Sequence, residues 1–351
     1  MSGPPLPRPG RRRRYRGTHP RRFDERYKEL DPERYPEEQA KVAARGDTPA
    51  GTHRPVLLSE VLAALRPAPG EVVLDCTVGR GGHARALAAA VGPAGVVLGL
   101  DRDREELDRT VSLLAGEGIG IRAHGTNFAG AGRVLAAEGL DGVDVLLADL
   151  GLSSMQIDRP ERGFSFKSEG PLDMRMDRSK GKTASEWIAS VPEEELRRVL
   201  GTHGEEPSAA EVARAIRARV LSGPPILTTR DLSGVVLRAL GFDPRGFRQP
   251  DAFTRHPAAR TFQAIRIAVN REDEALAQLL RDLPWLLRSG GRAGILCFHG
   301  GEEERVASAF AAGREAGLYA SVGEPPIRPS PEECRSNPRA RSARLCVAVR
   351  A

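Results

Sequence analysis

The chain is predicted to fold as an α/β protein, a parallel sheet covered by helices on both faces, with an all-helical insertion after the fourth strand. Three observations predict this. Short apolar, β-prone runs alternate with helical stretches over residues 53–152; only helical patterns follow up to 257; and strand character returns between Arg292 and Val349. Continuous apolar strands separated by helices build βαβ units whose sheet is buried on both sides.

The elements follow in order. Residues 56–65 (VLLSEVLAAL) place apolar side chains at helical spacing. Residues 71–76 (EVVLDC) are the first strand, and the alanine-rich residues 83–90 a helix. A second strand at 95–101 (GVVLGLD), a helix at 104–114, a third strand at 119–124, a helix at 131–138 and a fourth strand at 143–150 (VDVLLADL) complete the first half. Residues 151–182 are rich in Gly, Asp, Arg and Ser and read as a long loop, which in compact proteins is functional or packed. Helices are predicted at 193–200, 209–221 and 229–240, and 242–257 are loop-like again. A long helix is expected over 259–287 with a break at Pro284, then a strand at 292–298, a helix at 302–316 and a last strand at 344–349. The expected division is a basic, disordered extension (1–52), a sheet domain (53–152 with 258–351) and an inserted helical substrate-recognition domain (153–257).

Composition narrows the function classes. The chain has 351 residues, 40% of them hydrophobic, enough for a sizeable core. No stretch approaches 18 consecutive apolar residues, so a transmembrane helix is excluded. The N-terminus has no apolar segment behind its arginines and is not expected to be a secretory signal. Cys76, Cys297, Cys334 and Cys346 form no C-x-x-C pair and are expected as reduced thiols in the cytoplasm, with no metal site. The formal charge is +6, and its source is a tail: Arg8, Arg11 to Arg14, Arg16, Arg21 and Arg22 come before any acid, while basic and acidic residues nearly balance beyond residue 51. Such an arm contacts nucleic acid or keeps a protein soluble.

The first site signal lies in VVLDCTVGRGGHA. Gly79, Gly81 and Ala84 form G-x-G-x-x-A between a strand and a helix. Glycine lets the backbone turn tightly and approach a ligand, and the helix N-terminus offers N–H groups to it. Asp101 ends the next strand, 22 residues after Gly79, where a carboxylate can accept both hydroxyls of an adenosine ribose. The pattern alone fits NAD or S-adenosylmethionine. Asp75, inside the strand before the loop, would repel a pyrophosphate but could face an amino-acid ammonium, and His83 directly follows the glycines; both favour S-adenosylmethionine.

The second signal is Asp149-Leu150-Gly151-Leu152-Ser153-Ser154-Met155-Gln156 at the end of the fourth strand. In an open α/β sheet, ligands sit outside the carboxyl ends of strands, so Asp149 should face the pocket. A hydrogen bond from an exocyclic base amine to Asp149 or Ser153 would help free its lone pair. Ser153 or Ser154 could equally cap a helix.

At these residues the chain resembles the bacterial MraW family, the small-subunit ribosomal RNA methyltransferase H that methylates cytosine N4 in 16S ribosomal RNA. The matching segments are 53–58, Gly79-Arg80-Gly81-Gly82-His83, Leu100-Asp101-Arg102-Asp103, 149–156, Arg162-Gly163-Phe164-Ser165-Phe166, 170–177 (GPLDMRMD), 260–266, Phe298-His299 and Asn337-Pro338-Arg339-Ala340-Arg341-Ser342. The resemblance implies a class I, Rossmann-like methyltransferase sheet with a helical insertion after the fourth strand. It implies S-adenosylmethionine, with no metal, held by Gly81, Gly82, His83, Asp101, Phe128 (against the adenine), Asp149 and Gln156. Asp149, with Ser153, would serve the reaction. The implied partner is 16S ribosomal RNA in a small-subunit particle, with no membrane, for a monomer or a homodimer. The chain departs from the family after Phe298-His299, where Gly300-Gly301-Glu302-Glu303-Glu304-Arg305 replaces Ser-Leu-Glu-Asp-Arg. Cys76 and Val78 are also unusual in their loop, residues 305–337 are short, and the 52-residue extension lies outside the common pattern. A dehydrogenase of similar fold and a non-catalytic ribosome-assembly factor are the alternatives; the first lacks an evident acid–base set, and the second would not need Gly81, Asp101 and Asp149.

Overall fold

The computed structural model describes residues 55–247 and 256–351. The expected disorder of residues 1–52 and the His53-Arg54 part of the family motif lie outside the described residues. The sheet strands are β1 (Val72–Asp75), β2 (Val96–Leu100), β3 (Arg122–His124), β4 (Val143–Asp149), β5 (Leu287–Cys297), β6 (Tyr319–Val322) and β7 (Arg344–Arg350). The helices are α1 (Leu58–Leu65), α2 (Gly82–Val91), α3 (Arg104–Gly116), α4 (Ala131–Ala137), α5 (Ser154–Asp158), α6 (Ala184–Ser190), α7 (Glu193–Gly204), α8 (Ala209–Ser222), α9 (Thr229–Ala239), α10 (Ala259–Asn270), α11 (Glu272–Leu286), α12 (Gly300–Glu315) and α13 (Pro331–Ser336).

The strand order is β3-β2-β1-β4-β5-β7-β6. The first five strands are mutually parallel, and β7 runs antiparallel between β5 and β6. Strand order reverses at β1, whose neighbours are β2 and β4. The strand sequences explain why both faces are buried. Val72 and Leu74 of β1, with Val143, Leu146 and Ala148 of β4, enter one core against α4, α11 and α12. Val73 of β1, with Val145 and Leu147 of β4, enters the other against α1 and α2. Alternate side chains of a strand point to opposite faces, so apolar runs without polar interruption are what a doubly covered sheet requires.

A third core belongs to the helices. Leu196, Val199, Leu200, Val212, Ile216, Leu232 and Val236 pack there with Phe164, Leu172 and Met174 from the long loop. Ala258, Phe262, Ala264 and Ile265 join this cluster, so α10 packs with the helices that precede it and not on the sheet. The helical packing unit thus runs past the boundary expected at 257.

The expected break at Pro284 is corrected. Pro284 lies within α11, and the long helix parts instead at Arg271, whose φ is 51°. The cause is tertiary: the Asn270 amide nitrogen donates to Met174 O at 2.7 Å, its oxygen accepts Met176 N–H at 2.8 Å, and Arg102 donates to its carbonyl. Strand β5 starts five residues before the expected Arg292, and β6 and α6 are additional. α6 carries a Thr183–Glu186 capping box, each side chain bonding the other's backbone N–H.

Phe310 is among the largest fully buried side chains and meets Tyr319 edge-on, with ring centroids 5.5 Å apart. Phe310→Ala is expected to cost about 3–5 kcal/mol, measured by urea unfolding.

Candidate active site

The site forms where β1, β2 and β4 end side by side. Asp75 is the last residue of β1 and is fully buried. Its Oδ1 accepts the Thr77 N–H at 3.0 Å, while its Oδ2 accepts no hydrogen bond among the described residues. The Thr77 hydroxyl accepts the Asp149 N–H at 2.7 Å, tying the ends of β1 and β4 together. The Val78 N–H donates to Leu100 O at 2.9 Å, tying the loop to β2.

Each glycine of the loop has its own cause. Gly79 sits at φ +50° with little around it, so its conformation asks for glycine and leaves its surface open. At Gly81 (φ +73°) a Cβ would meet Thr110 Cγ2 at 2.9 Å, and at Gly82 it would meet Pro55 Cγ at 2.5 Å. Gly81 and Gly82 are therefore set by neighbouring protein. The turn is closed by the expected acid: Asp101 Oδ2 accepts the Gly79 N–H at 2.8 Å, and its Oδ1 accepts the Asp103 N–H at 2.8 Å.

His83 is buried in the first turn of α2. Its Nε2 lies 3.1 Å from Val56 O, which can only accept, so Nε2 carries the proton. Its Nδ1 faces Asp149 Oδ2 at 3.7 Å. Burial pushes the imidazole down to about 4. Burial, reinforced by the charges of Asp75 and Glu302, pushes Asp149 up to about 8. The two are thus not an ion pair at neutral pH. Burial likewise pushes Asp75 up to about 7 and Asp101 up to about 6, each against hydrogen bonds that pull the other way.

The remaining expected residues are placed as follows. Phe128 opens a single 3-10 turn (Phe128–Gly130) beyond β3 and packs, half-buried, on the sheet core. Ser153 and Gln156 bond each other around the start of α5: the Ser153 N–H donates to Gln156 Oε1 at 3.1 Å, and the Gln156 N–H donates to Ser153 Oγ at 3.3 Å. The Ser153 hydroxyl therefore acts as a cap, and the Gln156 amide nitrogen donates to Asp103 Oδ2 at 2.9 Å. The structure gathers Asp75, Gly79, His83, Asp101 and Asp149 through direct or one-residue links, while Gln156 is bonded into the protein at both ends of its amide.

Sequence reasoning singled out neither Asp103 nor Arg162 as a site residue, nor the part Glu302 plays. Asp103 is the N-cap of α3, a signal visible only as an acid before Glu105 and Glu106. Glu302 keeps the altered segment after His299 anchored: its Oε2 accepts the Phe298 N–H at 2.8 Å and its Oε1 lies 3.1 Å from His299 Nε2. The motifs at 162–166 and 170–177 have a backbone origin. A Cβ at Gly163 would lie 2.2 Å from Pro171 O, and one at Gly170 would lie 1.9 Å from Pro160 O, so two stretches of main chain cross in contact.

The sheet order, its reversed final hairpin and the acid-closed glycine turn define a Rossmann-like methyltransferase. The chain belongs to the MraW methylase family, whose model matches residues 50–351. It is 42% identical over 344 residues to Ribosomal RNA small subunit methyltransferase H 2 of Alkaliphilus metalliredigens, covering 97% of each chain. It is 42% identical to Ribosomal RNA small subunit methyltransferase H 1 of Lachnoclostridium phytofermentans, covering 97% of this chain and 93% of that one. Ribosomal RNA small subunit methyltransferase H of Methylococcus capsulatus is 44% identical over 308 residues, covering 83% of this chain and 98% of its own. The alignments with the first two relatives take in most of the N-terminal extension, while the family model begins at residue 50, in keeping with an extension outside the common pattern.

The raised carboxyls set a pH dependence with a definite sign. A buried acid whose folded pKa is raised stabilises the fold while protonated, and that stabilisation is lost as pH rises through the folded value. Thermal midpoints of the ligand-free protein should fall between about pH 4 and 8, and Asp75→Asn, which cannot ionise, should flatten the part of that slope between about pH 4 and 7.

Proposed function

We propose that this protein transfers a methyl group from S-adenosylmethionine to the exocyclic N4 amine of a cytosine in the decoding region of 16S ribosomal RNA, acting in the cytoplasm on a small-subunit particle. The observation that carries the reading is the buried, unpartnered Asp75 Oδ2 at the foot of a glycine turn closed by Asp101, one strand away from Asp149. A buried carboxylate oxygen without a donor calls for a polar or cationic guest. Family membership and the names of the relatives support the substrate.

The residues divide the work by position. Asp101, at the end of β2, would accept the ribose hydroxyls. Asp75 would face the ammonium of the donor's amino-acid part, and Phe128 the adenine. Gly81, Gly82 and His83 shape the wall below. Bound S-adenosylmethionine supplies a methyl group on a sulfonium, which an amine can attack directly. Asp149 keeps 27% of its side chain exposed and so can meet an incoming base. With the cationic donor bound favouring its ionised form, it would accept a hydrogen bond from the cytosine amine and take up the proton released after transfer. Ser153, already the cap of α5, would offer its remaining lone pair to the same amine. The target base must leave its stack to reach these groups.

The deciding experiment maps methylated cytosines in 16S ribosomal RNA from cells with and without this protein; one N4-methylated cytosine should vanish, and an unchanged map would overturn the reading. Asp149→Ala should lower turnover about 10²–10⁴-fold, the usual worth of a positioned proton acceptor, followed by transfer of labelled methyl groups to particles. Asp101→Ala, which removes a charged acceptor worth about 1.5–3 kcal/mol, should weaken donor binding about 10–100-fold in calorimetry. Because a cationic guest favours ionised carboxyls, donor affinity should rise from pH 6 to pH 8 with release of protons, seen as a dependence of binding heat on buffer ionisation enthalpy.

A further inference from the structure

The Asp101-Arg102-Asp103 segment does two things at once. Asp101 closes the glycine turn, while Asp103 holds the loop that runs on from Asp149 and Arg102 reaches the carbonyl of Asn270. Asp103 is 3% exposed, and its Oδ2 accepts two donors from that loop: Gln156 Nε2 at 2.9 Å and Arg162 Nη1 at 2.7 Å. Arg162 is itself 2% exposed, and its Nη2 donates onward to the carbonyls of Arg175 and Met176 at 3.1 and 3.0 Å. The Met176 N–H and Met174 O are bonded in turn by Asn270, whose carbonyl accepts from Arg102. Asp101 Oδ1 holds the Asp103 N–H, so the acid of the glycine turn and the carboxylate that grips the loop share one short piece of backbone.

We propose that Asp103 is a positioning residue that keeps residues 156–177 in register with the cofactor seat, so that filling the seat at Asp101 stiffens the loop beside Asp149. The proposal rests on the functional reading above for what the loop faces. A buried charge pair whose guanidinium bonds the carboxylate through one terminal nitrogen and two carbonyls through the other is specific in geometry, and removing one partner leaves the other uncompensated. Reactions that depend on alignment are sensitive to small displacements of the reacting groups.

The test uses the full chain, S-adenosylhomocysteine as the cofactor probe and small-subunit particles as acceptor. Asp103→Asn should bind S-adenosylhomocysteine within about threefold of wild type, while kcat falls about 100-fold, the scale of a misplacement near 1 Å. Arg162→Lys, which keeps the charge but cannot span both the carboxylate and the two carbonyls, should show a smaller loss of the same kind. Combining Asp103→Asn with Arg162→Gln should cost no more than the worse single change, because both break one interaction. Backbone amides of residues 160–177 should gain exchange protection when wild type binds S-adenosylhomocysteine, and Asp103→Asn, bound to the same extent, should lose that gain. Equal protection in both proteins, or cofactor affinity falling in step with kcat, overturns the proposal. A wild type that binds the probe without methylating particles sinks the functional reading alone, since the exchange measurement still decides the role of Asp103.

Discussion

Burial and mutual repulsion of carboxyl groups at three adjacent strand ends is the constraint around which this molecule is arranged. Asp75, Asp101 and Asp149 end β1 or follow and end its two neighbours, and each holds its proton more tightly than a solvated aspartate because burial disfavours the charge. Asp75 feels Asp101, and Asp149 feels Asp75 and Glu302. The nearest histidine, His83, is kept neutral by its own burial and cannot compensate them.

Much of this was legible in the sequence. Strands β1 and β2 are apolar up to their ends, and β4 is interrupted only by Asp144, whose carboxylate accepts the Val72 N–H; a doubly buried strand can hardly be written otherwise. The pairing of Gly79 with Asp101 followed from spacing alone, since a strand, a glycine turn, a helix and a second strand place the acid opposite the turn. What escaped depends on contacts between distant segments. Asn270 ends α10 because the loop at 174–176 and Arg102 compete for its polar groups, and no local signal marks it. Pro284, a local signal for a break, is accommodated inside the last turns of α11. Strand β6 is four residues long and owes its existence to β7. Asp103 and Arg162 stood out only as members of longer matching segments, because burial of an ion pair is a property of the assembled chain.

The motif-rich loop after β4 shows why idiosyncratic sequence can have a plain mechanical origin. Gly163 and Gly170 are where main chain crosses main chain, and Leu172 and Met174 are the apolar feet that seat the crossing in the helical core. The polar residues around the crossing divide: Arg162, just before it, bonds Asp103 beyond β2, while Glu169 pairs with Arg230 of α9. Glu302, whose charge reaches Asp149, does comparable work in holding Phe298 and His299 at the start of α12 although the residues around it are unusual for the family.

The shared carboxylate of Asp103 also bears on how such proteins can be recombined. A chimera that exchanges the helical segment between relatives would carry Arg162 and Gln156 with the graft and leave their acceptor behind in the recipient sheet. Grafts therefore have to be chosen by the match at that buried junction, whatever the overall similarity of the parents, and the helical segment is better regarded as a component keyed to its host than as an interchangeable module.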